Sequence, residues 1–420
     1  MRRKRYALMA IAVLLGFSLI TVLSSLAFGA LETIKTKAAR YFSGHIALIS
    51  FQRKTGFGIS NSDEIIEKLK ETKFPLKAIG KRSVNYDKEA KIFFSGKSII
   101  IRRPIGMDFE AEREVFKNLS FIEGSYDSML GDNGKGGILI SKIAAEIIGA
   151  RVGDDVIFYM TTAAGQHNTA TMIVRGIFSE TSIFGYVSYM RIDDLNMLYN
   201  NIPGFTTDIA LYVNKGVDIE KFAEKVRLAL GKNFLVFQKI SNQEDVSHAR
   251  FFPVQEETIA VVPVDAQLAQ IKDILNAFLI GIYFVLVIFI AIVMIGILNT
   301  YRVLVHERTK EIGTMRAMGM QKGEVKLLFL IEAAALSLIS SFIGLLLGFI
   351  ILNAIVNFVD LSSFSAAGLF TESGKLNFFI DTKIAFFNII FMLSAVLLAA
   401  WGPAAKASNM PPVQALGKGI

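Results

Sequence analysis

Cysteine is absent from the 420 residues. A disulfide framework, a thiolate nucleophile and a zinc site built on thiolates are therefore excluded. Charge is scarce: Asp, Glu, Lys and Arg make up 20% of the chain, against about 25% in an average soluble domain. Hydrophobic residues reach 52%, which excludes a disordered chain and shifts the composition toward a membrane protein. Histidine is rare, and His45, His167, His248 and His306 are scattered, with no two at helical ligand spacing. Gly96-Lys97-Ser98 resembles the end of a phosphate loop, but the motif needs a glycine at position 91, which is Lys91. The Gly-rich stretch 131–137 lacks the motif's spacing and reads as a loop. No Gly-x-Ser-x-Gly elbow occurs, and the adjacent Asp154 and Asp155 of a turn point apart. No catalytic, cofactor-binding or metal-binding residue is assigned.

Long uncharged apolar runs are abundant. Residues 6–31, 274–301, 333–359 and 384–405 carry no charge over 26, 28, 27 and 22 positions. Each exceeds the roughly 20 residues that cross about 30 Å of hydrocarbon. The first is much longer than the ~7–15 apolar residues of a signal peptide, so it reads as an uncleaved span. The net charge of +8 is concentrated: Arg2 to Arg5 carry +4, residues 300–326 carry +3, and the tail after Trp401 carries +2. Basic flanks mark the cytoplasmic side, so both termini and residues 300–326 are expected inside. Residues 32–272 and 360–383 are then outside. The same basic excess is not evidence for nucleic-acid binding.

Residues 32–272 suffice for a core of their own. Two βαβ units are expected. The first is a strand at 45–51, a helix after Asn61 and Ser62 with Ile65, Ile66 and Leu69 on one face, and a strand at 74–84. The second is a strand at 207–213, a helix capped by Asp218 with Phe222, Val226 and Leu230 on one face, and a strand at 233–237. Together they suggest a split, ferredoxin-like α+β subdomain. A β-rich insert at about 91–201 separates them, with a helix capped by Ser141 and stopped by Gly149, and strands at 156–161, 169–178 and 186–190. Leu31, Ile34, Ala38 and Tyr41, and Leu268, Ile271, Leu275 and Phe278, extend the faces of the first two spans as paired stalk helices.

Within the spans, Glu332 is the informative charge. It is either an interfacial residue or a polar contact to another helix or a cytoplasmic partner. Ser340, Gly344 and Gly348 repeat at four-residue spacing, as do Thr21, Ser25 and Gly29. Such small residues let helix backbones approach, either within one chain or at a dimer interface.

Residues 302–326 form the most distinctive segment. Glu307, Arg308, Lys310, Glu311 and Arg316 make a mixed-charge face, Ile312, Met315 and Met318 an apolar edge, and Gly319 a natural stop. The run from Glu307 to Gly319, with Glu332 beyond it, resembles the signature of FtsX/MacB-type ABC transporter permeases, a family that includes the LolC/LolE lipoprotein-releasing subunits. The tail from Met410 to Leu416 is similar to the family's Pro-x-x-Ala-Leu ending, and Ile122-Glu123-Gly124, Ile138 to Gly149 and Val152-Gly153-Asp154 resemble the MacB-type periplasmic core.

The resemblance implies four transmembrane helices and a large extracytoplasmic α+β domain, ferredoxin-like with a β-rich insert. Residues 1–31 would hold the basic N-terminus and first span, 32–272 the MacB-like core with its stalk, and 273–420 the FtsX-like permease region. Its spans would lie at about 274–301, 327–359 and 384–405, with the coupling loop at 302–326. It implies a multi-pass plasma-membrane permease subunit of a type VII ABC transporter, partnered by a second permease copy and a separate ABC ATPase that binds ATP and Mg. Energy would reach the outer domain as movement, and lipoprotein release is the first expectation for its use. MacB-type efflux or lipid or peptide export is the alternative; a membrane-anchored sensor or scaffold is the other class. By resemblance, Glu307, Arg308, Glu311, Ile312, Gly313, Arg316, Ala317 and Gly319 meet the ATPase, while Glu332, Ser340, Gly344 and Gly348 lie at intramembrane contacts.

Overall fold

The computed structural model describes residues 2–50, 58–84, 90–117, 119–162, 164–179, 186–214, 216–242, 244–246, 256–361, 365–372, 374–380 and 382–411. His248 and residues 412–416 of the tail motif lie outside them. The chain divides into a helical unit (1–30, 274–360, 376–420) and a sheet unit (31–273, 361–375). Residues 361–375, expected with the permease region, thus cluster with the sheet unit.

Helix α1 (Arg2–Tyr41) runs without a break through the first apolar block and the expected stalk. The sheet unit follows with β1 (Ile46–Ser50), α2 (Ser62–Glu71) and β2 (Leu76–Val84). The insert contains β3 (Ala90–Phe94), β4 (Lys97–Ile101), β5 (Arg103–Met107), α3 (Arg113–Phe116), β6 (Phe121–Gly124), β7 (Gly137–Ser141), α4 (Lys142–Ile148), β8 (Asp155–Thr161), β9 (His167–Phe178), β10 (Val187–Arg191) and α5 (Ile192–Tyr199). The unit then returns through β11 (Asp208–Val213), α6 (Ile219–Leu230), β12 (Ile259–Pro263) and α7 (Val264–Gln267).

All twelve strands share one sheet, in the order β12-β1-β11-β2-β5-β10-β7-β9-β8-β3-β4, with β6 beside β9. The four at one end, β12-β1-β11-β2, are antiparallel to their neighbours and give the split βαβ order expected of a ferredoxin-like unit. Its core joins Ile46, Leu48, Ile209, Leu211 and Ile259 of the strands to Ile65 and Leu69 of α2 and Phe222, Val226 and Leu230 of α6. Burying each such side chain is worth about 1.5–3 kcal/mol. The insert has its own core of Ile92, Ile138, Ile140, Phe158 and Val174 against Ile148 of α4 and Leu195 of α5.

One expected strand is corrected. Residues 233–237 form a turn, a bend and irregular chain, and Val236 makes a single bridge to Ile259. The place beside β1 is taken by β12, whose β-branched Ile259, Val261 and Val262 suit a buried strand. Two caps hold as read: Ser141 accepts the Ala144 N–H and Asp218 the Lys221 N–H. Gly96 proves to be a hairpin residue, since Ser95 and Gly96 turn at φ 48° and 75° between β3 and β4.

A charged cluster lies buried in the sheet unit. Arg82 on β2 donates through Nε and Nη2 to Glu112, at 2.9 and 2.6 Å, and through Nη1 to the Arg40 carbonyl near the end of α1, at 2.6 Å. The Tyr212 hydroxyl of β11 accepts from Arg82 and donates to Glu112 at 2.7 Å. Burial opposes the Arg82 charge, but adjacent Glu112, with Tyr212 and Tyr189, more than offsets it and raises the guanidinium's pKa. Burial, opposed by Arg82 and aided by Glu112, pushes the Tyr212 hydroxyl well above its usual range.

The helical unit contains α8 (Ala269–Glu307), α9 (Thr309–Ala317), α10 (Lys322–Phe358) and α11 (Thr382–Ser408). Helices α1, α8, α10 and α11 are each long and apolar enough to cross a membrane. A short hairpin, β13 (Thr371–Glu372) and β14 (Lys375–Leu376), precedes α11.

Lipid tails give no hydrophobic push between helices, so close approach at small residues decides their packing. A Cβ on Gly344 would lie 2.7 Å from the Leu14 carbonyl oxygen, and one on Gly348 would lie 3.1 Å from Thr21 Cβ. On α1, a Cβ on Gly16 would lie 2.6 Å from Val293 of α8. From α11, Asn388 donates to the Ser24 hydroxyl at 3.2 Å. Gly344 and Gly348 therefore lie against α1 within the chain, and Ser340 is buried on the same helix.

Candidate functional site

Helix α8 ends at Glu307 because the chain leaves helical geometry at Arg308, φ −91° and ψ 10°. The Thr309 hydroxyl donates back to the His306 carbonyl at 2.7 Å, a local bond that competes with the helical ladder and bends it. The chain resumes as α9, turns at Gly319 (φ +100°), and enters α10 through a capping box of Gln321 and Glu324. The expected amphipathic segment is thus a nine-residue helix between two spans.

Arg308 is the joint of this segment. Its Nη1 donates to Glu332 Oε2 at 2.9 Å, and its Nε lies 3.4 Å from Glu311 Oε2. Its guanidinium lies 5.7 Å from the Tyr6 ring centre and 5.9 Å from that of Phe329. Residues from α1, α9 and α10 therefore converge on one cation. Glu332 of α10 thus pairs with the joint between α8 and α9. Nearby, the Lys326 ammonium sits 3.1 Å over the ring of Trp401, tying α10 to α11.

The eight residues assigned to ATPase coupling separate into layers. Ile312 and Gly313 are buried, and Ile312 packs in the same core as Leu304, Val325 and Phe329. They seat the helix from beneath. Arg308 is engaged with Glu332. Arg316 is half-buried and donates to the Met320 carbonyl at 3.1 Å, closing the turn into α10. Glu311 is half-buried beside Arg308, whereas Glu307, Ala317 and Gly319 are exposed.

Lys310, Thr314 and Met318 are also exposed, and Met318 is 81% accessible. Lys310, Thr314 and Ala317–Met318 recur at steps of three to four and form one face of α9. Sequence reasoning placed Lys310 on the charged face but put Met318 on the apolar edge with Ile312. Helical phase separates them: six positions apart, they point to different sides.

Residues 6–229 match the MacB-like periplasmic core domain family, and residues 283–412 match the FtsX-like permease C-terminal family. The chain is similar to an uncharacterized ABC transporter permease of Methanocaldococcus jannaschii, 24% identical over 54% of this chain and 49% of that protein. It is similar to the ABC transporter permease YtrF of Bacillus subtilis, 28% identical over 37% of this chain and 36% of the relative. It is also similar to the macrolide export ATP-binding/permease protein MacB of Pasteurella multocida, 35% identical over 31% of this chain and 18% of that one. These alignments span half or less of the relatives' own lengths. The chain belongs to the MacB-like periplasmic core domain family, with an FtsX-like permease C-terminal region after the core.

Proposed function

We propose that this permease works as a dimer with an ATPase carried on a separate subunit, and that the exposed face of α9 receives that subunit's ATP-driven movement. The arrangement at Arg308 carries the reading. A surface helix merely solvated at a membrane face has no need of an ion pair to the next span and a buried isoleucine beneath it. A helix that passes force needs both, because a seated element transmits displacement. On this reading ATP and Mg bind to the ATPase subunit. The basic flanks support cytoplasmic termini and a plasma-membrane location with the core domain outside.

The cargo we assign is lipoprotein, released from the plasma membrane by movement of the core domain. The alternative is efflux, the activity named for the MacB relatives. The coupling test is affinity purification of the full chain from its own cells in detergent. Co-elution of an ABC ATPase at fixed ratio is expected; elution alone would favour a sensor or scaffold. Depleting the chain tests the cargo. Lipoproteins retained in the plasma membrane support release, while unchanged lipoproteins with macrolide sensitivity support efflux. Orientation is tested with impermeant thiol reagents, convenient because no native cysteine interferes: Met197→Cys should label from outside and Lys322→Cys should not.

A further inference from the structure

The loop between α10 and α11 carries contacts that neither the family match nor the coupling helix explains. Within the sheet unit, both terminal guanidinium nitrogens of Arg40 lie 3.0 Å from Glu372 Oε1. Lys37 donates to the Gly368 carbonyl at 2.8 Å. Arg40 is 1% exposed, and Glu372 retains 23%. The loop is ordered within itself: Thr371 is buried, its hydroxyl donates to the Ala367 carbonyl at 2.9 Å, and the Leu361 N–H donates to the Gly374 carbonyl.

The other side of Arg40 is fixed as well. Its carbonyl accepts from Arg82 at 2.6 Å, and Arg82 is held by Glu112 and Tyr212, all three fully buried. Three residues later the helix is closed off, where Ser43 and Gly44 turn at φ 69° and 94° and the Ser43 hydroxyl donates to Asp208 of β11 at 2.6 Å. The guanidinium of Arg40 thus holds the loop while its carbonyl is held by the sheet.

We infer that Arg40 and Glu372 are positioning residues that clamp the α10–α11 loop to the carboxyl end of α1, and that the clamp passes displacement of α10 and α11 to strands β2 and β11. A surface ion pair is a poor coupling element, because two solvated side chains separate at little cost. This one differs in that the arginine is buried and gripped at its backbone by a second, fully buried pair. The loop's two ends continue covalently into α10 and α11, so it moves when they do. The transmission rests on the transporter reading; the clamp itself does not.

The experiment uses hydrogen exchange on the full chain purified with its ATPase, and compares wild type with Glu372→Gln. This variant keeps the shape and a hydrogen-bond acceptor for the buried Arg40 while removing the charge. Without ATP, amides 367–372 should exchange about tenfold or more faster, as expected when a charge-assisted bond is lost. ATPase activity should remain at the wild-type level, while the ATP-dependent change in exchange of residues 76–84 and 208–213 should disappear. The reversed pair Arg40→Glu with Glu372→Arg should recover both slow loop exchange and the ATP-dependent change. Wild-type loop exchange in Glu372→Gln would overturn the clamp. A loosened loop with an intact ATP-dependent change would make the pair structural and overturn the transmission. If wild type itself shows no ATP-dependent change, the transporter reading fails and the transmission with it, while the loop measurement still decides the clamp.

Discussion

Glu332 keeps its shape but loses its charge in Glu332→Gln, and Arg308 then has a neutral acceptor at 2.9 Å in place of a carboxylate. A hydrogen bond to a charged group is worth about 1 kcal/mol more than a neutral one, so the cost in stability is small. The functional cost is expected to be larger. ATPase activity of the purified complex should fall several-fold with membrane level unchanged, and Glu332→Asp should fall less. Wild-type activity in Glu332→Gln would make the pair a passive contact. Arg82 behaves oppositely. Arg82→Ala strands Glu112 without its partner in a fully buried site, which costs about 3–5 kcal/mol, whereas replacing both with apolar residues of similar volume recovers most of it. Urea unfolding followed by circular dichroism measures both; equal midpoints for wild type and Arg82→Ala would contradict the assignment. His45 adds a pH dependence. Its pKa is lowered to about 4 by burial and by Lys77 and Lys35, against Asp265, and its Nδ1 accepts the Val213 N–H. The unfolded chain, at 6.5, takes up the proton first. Stability present above pH 6.5 is therefore lost as pH falls toward 4, by about 1.4 kcal/mol per unit at most. Thermal midpoints at pH 7.5 and 5 should differ more in wild type than in His45→Gln; equal differences would remove His45 from the acid response. At this scale Glu332 was legible, because a lone charge at the edge of an apolar run announces itself. Arg40, Arg82 and Glu112 were not. Their partners lie 332, 130 and 30 positions away in sequence, and nothing local marks such a charge as buried.

The elements of the sheet unit follow from local chemistry where a cap or a period is strong. Ser141 with Gly149 and Asp218 with Gly231 delimit α4 and α6 within a residue of their expected ends. Strand β12 was missed because its apolar run lies only a few residues from the second span and reads as part of its approach. Which strand pairs with β1 is decided by the tertiary fold, not by the segment itself. In the helical unit, the small residues of α10 were legible as a contact but not as to its partner. Gly344 places that partner on α1, 2.7 Å from the Leu14 carbonyl. Gly344→Leu must push the helices apart, which overpacking data put at about 1–3 kcal/mol or more. The expected outcome is a lower thermal midpoint and poor recovery from detergent, with Gly281→Leu on α8, where a Cβ meets nothing within 4 Å, as the neutral control. Equal behaviour of the two variants would return the stripe to a contact between chains.

For the whole molecule, the membrane class, the number of spans and the ferredoxin-like subdomain were readable from apolar length and paired βαβ patterns. What was not readable is which face of the short helix between α8 and α10 is free, because burial of Ile312 and Gly313 depends on α8 and α10 packing around them. This free face is the one proposed to dock an ATPase. The direct measurement is co-elution and ATPase activity of the purified full chain, wild type against Lys310→Glu with Met318→Asp. Both side chains are exposed, so the change should leave membrane level unchanged and stability within about 0.5 kcal/mol of wild type. Placing like charge and a desolvated carboxylate at a docked interface costs several kcal/mol, so the account predicts loss of the ATPase from the eluate, or an ATPase that remains but turns over at its unstimulated rate. Wild-type co-elution together with wild-type activity in the double variant would contradict it.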